Sequence, residues 1–482
     1  ADACVSDRSL RGRNLRSRAF LDRRRKTPYP RPGRAFRLTH HAMRILYLHQ
    51  YFNTREGIGG TRSYEMAKRL VAKGHQVQLI TSGLRASARF AVEAPDDYRQ
   101  VNIDGIDVVS IAAAYNDPRY GTTLSAERRA LAFVEFVLLA FRTGTSLPRP
   151  DLVIATHTPL TIGIAGSALA RFFKVPFVFE IRDLWPDSLV NLGLLKNPWL
   201  IRAMRFIERG LCQQAVKIIT LSPGMRAGVL NYGIAPERID MIPNAADTDL
   251  FGPHVDDADM RGRFATPDDF VAIYFGAMGR ANGLHYILDA AKVLQQRGQR
   301  GIKIILHGAG SERASLVKRM EEQGLDNIVF SAPVANKAKL AQLVATANVC
   351  LTIYAGEDRE QSWSPNKFFD ALAAAKPILV NVGGWLAELV EKNACGKFVD
   401  PRHPDSLADA LIELSSAHEE TARMGERARM LAEGEFCRDR LGEQLEALLK
   451  AEVGLNSSTV LRQPHGSGSA TGEAKESLDL NR

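Results

Sequence analysis

Residues 243–278 read "PNAADTDLFGPHVDDADMRGRFATPDDFVAIYFGAM", and the fold turns on how this stretch divides. Most of it is polar, rich in Asp, Gly and Pro, and keeps neither a helical nor a strand period. Its end, "AIYFGAM", is an apolar run of strand character. Upstream, "RILYLHQ", "QVQLITS", "DVVSI", "LVIATH", "FVFEIRD" and "KIITLS" read as strands, with amphipathic helices between several of them. Downstream, the alternation restarts through "AIYFGAM", "IKIILHG", "NIVFSA", "VCLTIY" and "PILVNV". Two successive strand–helix series predict an α/β protein of two doubly wound, Rossmann-like domains, each built on a parallel sheet. Their expected bounds are 43–245 and 246–430, followed by a C-terminal helix over 431–454. Ligands bind beyond the carboxyl ends of such strands, so two facing domains place a site in the cleft between them.

Composition agrees with this layout. The chain has 482 residues and 45% apolar content, enough for two full cores. Its longest apolar run, "ALAFVEFVLLAF" from Ala130, falls short of the ~18 to 20 residues a membrane span needs. Cys4, Cys212, Cys350, Cys395 and Cys437 form no C-x-x-C pair, so neither a zinc site nor a disulfide framework is indicated and a reducing cytoplasm is expected. The net charge of +9 lies wholly in residues 1–42, which carry eleven Arg, one Lys and three Asp. The rest of the chain is balanced, which removes the charge argument for a nucleic-acid partner. Residues 1–42 lack the apolar core of a secretory signal and read as a disordered basic leader, with Met43 as the expected natural start; a genuine basic tail or an organelle-targeting segment is the alternative. The Gly/Ser-rich residues 455–482 read as a disordered tail.

Three glycine loops follow strands. "NTREGIGGTRSYEMAKRL" sets Gly57, Gly59 and Gly60 ahead of Thr61 and a helix. "FGAMGRANGLHYILDAA" carries Gly276, Gly279 and Gly283 around Arg280 and Asn282, and "LHGAGSERASL" carries His307, Gly308 and Gly310. Adjacent glycines let backbone N–H groups approach a ligand at a helix N-terminus; a flexible turn is the alternative. The first two loops are not a G-x-G-x-x-G followed by a distant acid, which weakens a dinucleotide reading. Residues 362–379, "SWSPNKFFDALAAAKPIL", begin a further helix with Ser364 as expected N-cap and Pro365 at the first position. Lys367 is misplaced there, since a cation at the positive helix end costs a few tenths to about 1 kcal/mol. A phosphate held at that end explains it; a lysine reaching into solvent is the alternative.

As a set, "GGT", "IPNAADTDLF", the loop at Gly276, "HGAGSER" and "SPNKFFDALAAAKPIL" resemble GT-B-fold glycosyltransferases of family 4. With "FEIRDLWPDSLVNLG", they are most similar to bacterial enzymes of colanic-acid, O-antigen and exopolysaccharide assembly. The resemblance implies sugar transfer with retention from a nucleotide sugar, UDP favoured over GDP, with neither metal nor other cofactor. The donor is then held mainly by the second domain, around Gly59, Gly60, Gly276, Arg280, Asn282, Gly283, His307, Gly308, Gly310, Ser364, Asn366, Lys367 and Asp370. This sequence departs from the family at the Glu-x7-Glu pair, which aligns with Ser362 and Asp370. The usual Arg and Lys of the first loop align with Ala277 and Asn282, leaving Arg280 and Lys367 for the diphosphate. Asp370 is expected on the nucleotide ribose, or else as a first-turn acid paired with a neighbour.

On the first domain, His157 of "ATHTPL" ends a strand and, by resemblance, contacts the donor sugar near the reacting carbon. "EIRDLWPD" supplies Glu180 and Asp183 as further catalytic candidates, and Arg182 and Asp187, with Thr61, as acceptor-side candidates; an internal salt-bridge cluster is the alternative. Asp247 with Asp249, and Asp257 with Asp259, spell Asp-x-Asp, but in or beside the domain break, so no metal site is expected. "ALAFVEFVLLAF" and "KNPWLIRAMRFIERG" have the composition of basic amphipathic helices that suit an anionic membrane, although core helices share it. They fit a polyprenyl-diphosphate-linked acceptor at the inner membrane face, which the resemblance implies. A nucleotide-sugar epimerase of the same architecture and a non-catalytic sugar-nucleotide-binding protein remain alternatives.

Overall fold

A computed structural model describes residues 42–57, 59–82, 98–111, 126–191, 193, 195–256, 258–334, 336–355 and 362–460. The expected leader, Asp257 and the end of the expected tail lie outside the described residues.

The first sheet contains β1 (Arg44–Leu48), β2 (Gln76–Ser82), β3 (Tyr98–Ile103), β4 (Ile106–Ile111), β5 (Leu152–Thr156), β6 (Phe177–Ile181), β7 (Lys217–Thr220) and β8 (Ile239–Met241). Their order is β3-β4-β2-β1-β5-β6-β7-β8, parallel throughout except for the β3/β4 hairpin. The second sheet holds β9 (Phe270–Phe275), β10 (Ile302–His307), β11 (Ile328–Ser331), β12 (Val349–Thr352), β13 (Ile378–Val380) and β14 (Gly396–Phe398). It is parallel throughout, in the order β11-β10-β9-β12-β13-β14. Each series therefore reverses direction once, between β1 and β5 and between β9 and β12, which are the topological switch points where open α/β sheets bind ligands. The sequence patterns anticipated the central strands, whose side chains are buried on both faces; β3, β8 and β14 were not anticipated.

Each sheet is covered on both faces. Leu46, Leu48, Val153 and Phe179 pack under the helices Ala126–Ser146, Thr161–Phe173 and Pro198–Gln214. The opposite face, with Ile45, Tyr47 and Leu79, is closed partly by Leu441, Leu445, Leu448 and Leu449. Those four leucines form one stripe of the helix Arg438–Val460, so the end of the chain returns from the second domain to complete the first domain's core. The helix begins later than 431 and runs past the expected end at 454; residues His418–Glu433 form a separate helix.

Candidate active site

At the carboxyl end of β1 the loop with Gly59 and Gly60 leads into the helix Arg62–Ala72. Gly59 has φ +129°, in the region glycine tolerates, and a Cβ on Gly60 would lie 2.7 Å from the Asn366 side chain of the second domain. This close approach is why the loop needs glycine where the two domains meet. Thr61, an expected acceptor-side residue, is buried at the start of that helix and is not among the residues that line the cavity.

His157, at the end of β5, is fully buried, and neither ring nitrogen has a hydrogen-bond partner. The edges of Trp185 and Phe179 hold its ring at centroid distances of 5.6 and 6.1 Å. Burial, with the Arg182 charge nearby, pushes its pKa down to about 3, so the imidazole is neutral at physiological pH. Glu180 is corrected from catalytic candidate to structural anchor. Its carboxylate accepts from Arg62 Nε at 2.8 Å and Thr156 Oγ1 at 2.8 Å, while Arg62 also donates to the Ile242 carbonyl at 2.8 Å. Burial alone would raise the Glu180 pKa; Arg62 and Arg182 outweigh it and hold the acid ionised. Asp187 is likewise engaged elsewhere, accepting from Arg205 at 2.6 Å on the outer helix Pro198–Gln214. Asp183 is half-buried in the loop after β6 and lies near Tyr354 of the second domain.

In the second domain two glycine loops interlock. Gly276 N donates to the His307 carbonyl and Met278 N to the Ala309 carbonyl, at 3.0 and 2.8 Å. A Cβ on Gly308 would stand 1.9 Å from the Gly276 carbonyl oxygen, and one on Gly310 would stand 2.3 Å from that of Met278. Gly310 thus serves loop-to-loop packing, while Gly276, Gly308 and His307 line the cleft. His307 is neutral, its pKa pushed down to about 4 by burial, with Nδ1 3.1 Å from Ser331 Oγ. Asn282 accepts from Gly279 N at 3.3 Å, which closes the turn, and Gly283, at φ +54°, packs against Ala355. Arg280 is exposed and does not line the cleft.

The helix Asn366–Ala373 starts one residue later than expected, with Pro365 at the cap position and no side-chain cap; Ser364 instead gives its carbonyl to Asn244 Nδ2 at 2.6 Å. Lys367 does not reach into solvent. Its Nζ donates to Tyr274 OH at 2.7 Å, lies 4.0 Å from the Tyr274 ring centre and 5.2 Å from that of Tyr354, and packs on Gly276. Among the described residues no carboxylate reaches it, and burial pushes its pKa down to about 7.

Lys337 is a cation that sequence reasoning missed. Its Nζ bridges Asp247 at 2.7 Å and Asp370 at 3.0 Å, and Arg438 also pairs with Asp247. Burial alone would raise the Asp247 pKa, but Lys337 and Arg438 hold it low; burial pushes Asp370 up. Arg55, from the first glycine loop, grips Glu65 and Asp249, the latter at 2.6 Å, and its carbonyl accepts from Lys337 N at 3.1 Å. The Asp-x-Asp pair Asp247 and Asp249 is therefore taken up by these bases. Among the described residues no group of three or more His, Cys, Asp or Glu is placed to hold a metal. A weak signal for Lys337 existed in the N-capping Asn336 before it, which marks a helix start at the cleft.

Gly57, Gly59 and Gly60 from one side, and Gly276, His307, Lys337, Lys367 and Asp370 from the other, enclose a cavity of about 550 Å³ between the two sheets. That is the volume of a site for a small organic ligand. Its lining combines backbone amides at helix starts with a lysine that has no carboxylate partner among the described residues, which suits an anion.

Residues 59–245 match the glycosyl transferase 4-like domain, and residues 269–417 match the glycosyl transferases group 1 domain. Over 280 residues the chain is 27% identical to the putative colanic acid biosynthesis glycosyl transferase WcaI of Escherichia coli K12, covering 56% of this chain and 67% of that protein. Over 303 residues it is 25% identical to the D-inositol 3-phosphate glycosyltransferase of Paenarthrobacter aurescens, covering 61% and 71%. Among solved structures, sucrose-phosphate synthase from Thermosynechococcus elongatus superposes with a TM-score of 0.68 at 18% identity, over 86% of this chain and all of that one. Anabaena Alr3699/HepE in complex with UDP and glucose gives 0.61 at 19% identity, over 85% of this chain and all of that one. The fold these structures share is GT-B. With both glycosyltransferase domains matched in order along it, the chain is a glycosyltransferase.

Proposed function

We propose that this glycosyltransferase moves a sugar, with retention, from a nucleoside-diphosphate donor to a lipid-linked saccharide in surface polysaccharide assembly, without a metal. The observation that carries the reading is Lys367. A half-buried lysine with no carboxylate partner, at a helix start and between glycine loops, gains most when a diphosphate enters the cavity. Asn282, His307 and Asp370 stand where they can meet the rest of the nucleotide sugar. A uridine nucleotide is favoured because the similar HepE structure is described with UDP, and the likeness to WcaI, itself named for colanic acid biosynthesis, favours a role in polysaccharide assembly. His157, buried behind the cavity lining at the end of β5, is our candidate for stabilising charge at the reacting carbon, with Asp183 in the loop after β6 as a second candidate.

A peripheral seat on the inner face of a membrane fits the surface of the first domain. No helix among the described residues is long and apolar enough to cross a membrane. Eight of the ten exposed large apolar side chains among the described residues sit on the helices Ala126–Ser146, Thr161–Phe173 and Pro198–Gln214. Trp199 and Phe206 are the most exposed of these, at 78% and 79%, whereas Met204 and Ile207 pack inward. Exposed Arg142, Arg171, Arg202 and Arg209 lie on the same three helices and complement an anionic lipid surface.

Nucleotide release from a panel of UDP- and GDP-sugars, with and without a polyprenyl-diphosphate-linked saccharide, tests the reaction. Release that depends on the acceptor supports transfer. Conversion of the sugar nucleotide without acceptor would make the protein an epimerase, and binding without turnover would make it a sensor.

A further inference from the structure

We infer that Arg182, flanked by His49 and His157 at the carboxyl ends of β6, β1 and β5, is an anion site that holds the phosphate nearest the acceptor saccharide. The inference rests on the transfer reaction proposed above and names the acceptor chemistry that the first domain selects.

Register brings the three residues together. Leu48 of β1 lies beside Ala155 of β5, and Thr156 of β5 lies beside Glu180 of β6, so the residues that follow these strands share one sheet edge. This edge spans the switch point between β1 and β5. Arg182 Nη1 lies 3.2 Å from His49 Nε2. A guanidinium only donates, so that nitrogen is the acceptor and the His49 proton sits on Nδ1. Nδ1 is buried and has no partner. His157 adds two more buried ring nitrogens without partners.

Arg182 makes no direct ion pair, although Glu180 lies close enough to feel its charge. The carboxylate of its neighbour Glu180 is occupied by Arg62 and Thr156, and among the described residues no other carboxylate pairs with it. Its Nη2 would stand 3.4 Å from a Cβ on Gly60, so the guanidinium reaches the glycine loop that lines the cavity. A cation and three buried nitrogens without partners, gathered at one strand edge, are disfavoured unless a ligand satisfies them. The charge balance selects the ligand. Both imidazoles are neutral, held low by burial and by Arg182, so the chamber presents one fixed positive charge and N–H donors. The planar fork of arginine matches an oxyanion. Lys367 and the glycine loops already provide for the donor diphosphate across the cleft, so this second cation is left for an anion of the acceptor.

Calorimetry with inorganic pyrophosphate, in the presence of saturating UDP, tests the site directly. The expected result is that pyrophosphate binds the UDP-loaded protein and that Arg182→Met weakens it about 10- to 100-fold, with UDP affinity and melting temperature unchanged. Arg182→Lys, which keeps the charge without the fork, should fall between the two. Failure of pyrophosphate to bind the UDP-loaded wild type, or equal binding by Arg182→Met, overturns the inference. Weaker UDP binding by Arg182→Met also overturns it, and assigns the arginine to the donor. A parallel titration with glucuronate separates phosphate from carboxylate recognition; tighter binding of glucuronate would replace the phosphate assignment. Absence of UDP binding to any variant is a different failure, that of the donor reading itself.

Discussion

Lys367 carries the clearest chemistry of any single residue. In the empty cavity burial brings its pKa to about 7, and a bound diphosphate raises it again. Above pH 7 the empty site is neutral and the occupied one charged, so binding takes up a proton and UDP affinity falls as pH rises, by up to about tenfold per unit. Below pH 7 the lysine is charged in both states and this dependence disappears. The phenols that face it, Tyr274 and Tyr354, are pushed up by burial and stay neutral across this range. The same depression makes the unliganded protein gain stability as pH rises from about 7 toward the ordinary lysine value near 10.4, because the unfolded chain binds the extra proton. Lys367→Met should weaken UDP about 10- to 100-fold and abolish the slope, as calorimetry across pH 6 to 9 would read. His157→Ala should instead lower turnover about 10²- to 10³-fold with donor affinity retained, in single-turnover transfer at saturating donor. Wild-type turnover in that variant would return His157 to a packing role.

Two elements hold the molecule in working order. The helix Arg438–Val460 places Leu449, fully buried, into the core of a domain whose other elements precede it by two hundred residues or more. Leu449→Ala should cost about 2 to 5 kcal/mol and lower the melting temperature of the first domain's transition. The start of the helix Lys337–Ala345 contributes the cation between Asp247 and Asp370. Lys337→Met leaves two buried carboxylates short of a partner and should cost about 3 to 5 kcal/mol in chemical denaturation. Asp370→Asn should cost less, since burial already disfavours its charge and Asp247 keeps Lys337 and Arg438.

At the scale of the whole molecule, most exposed large apolar side chains among the described residues lie on the helices that cover one face of the first sheet. If the first domain seats on a bilayer, Trp199→Ser with Phe206→Ser should reduce co-sedimentation with phosphatidylglycerol vesicles while leaving the melting temperature unchanged. Binding of the wild type should weaken with salt and be slight on phosphatidylcholine alone, because exposed Arg142, Arg171, Arg202 and Arg209 act through screened charge. Equal binding to both lipids would assign the patch to another partner. Apolar runs and turn residues are local signals that survive without tertiary context, so the two sheets, the central strands and the glycine loops at the cleft were legible in the sequence. It also marked Lys367, as a cation in conflict with its own helix. Contacts between distant segments fixed the rest: Glu180 is spent on Arg62, 118 positions away, Lys337 joins Asp247 and Asp370 across 90 and 33 positions, and Arg280 is exposed outside the cavity lining. The last helix belongs to the first domain for the same reason. An ion pair or a docked leucine stripe is fixed by which surfaces meet, and separation along the chain leaves no periodicity from which that meeting can be read.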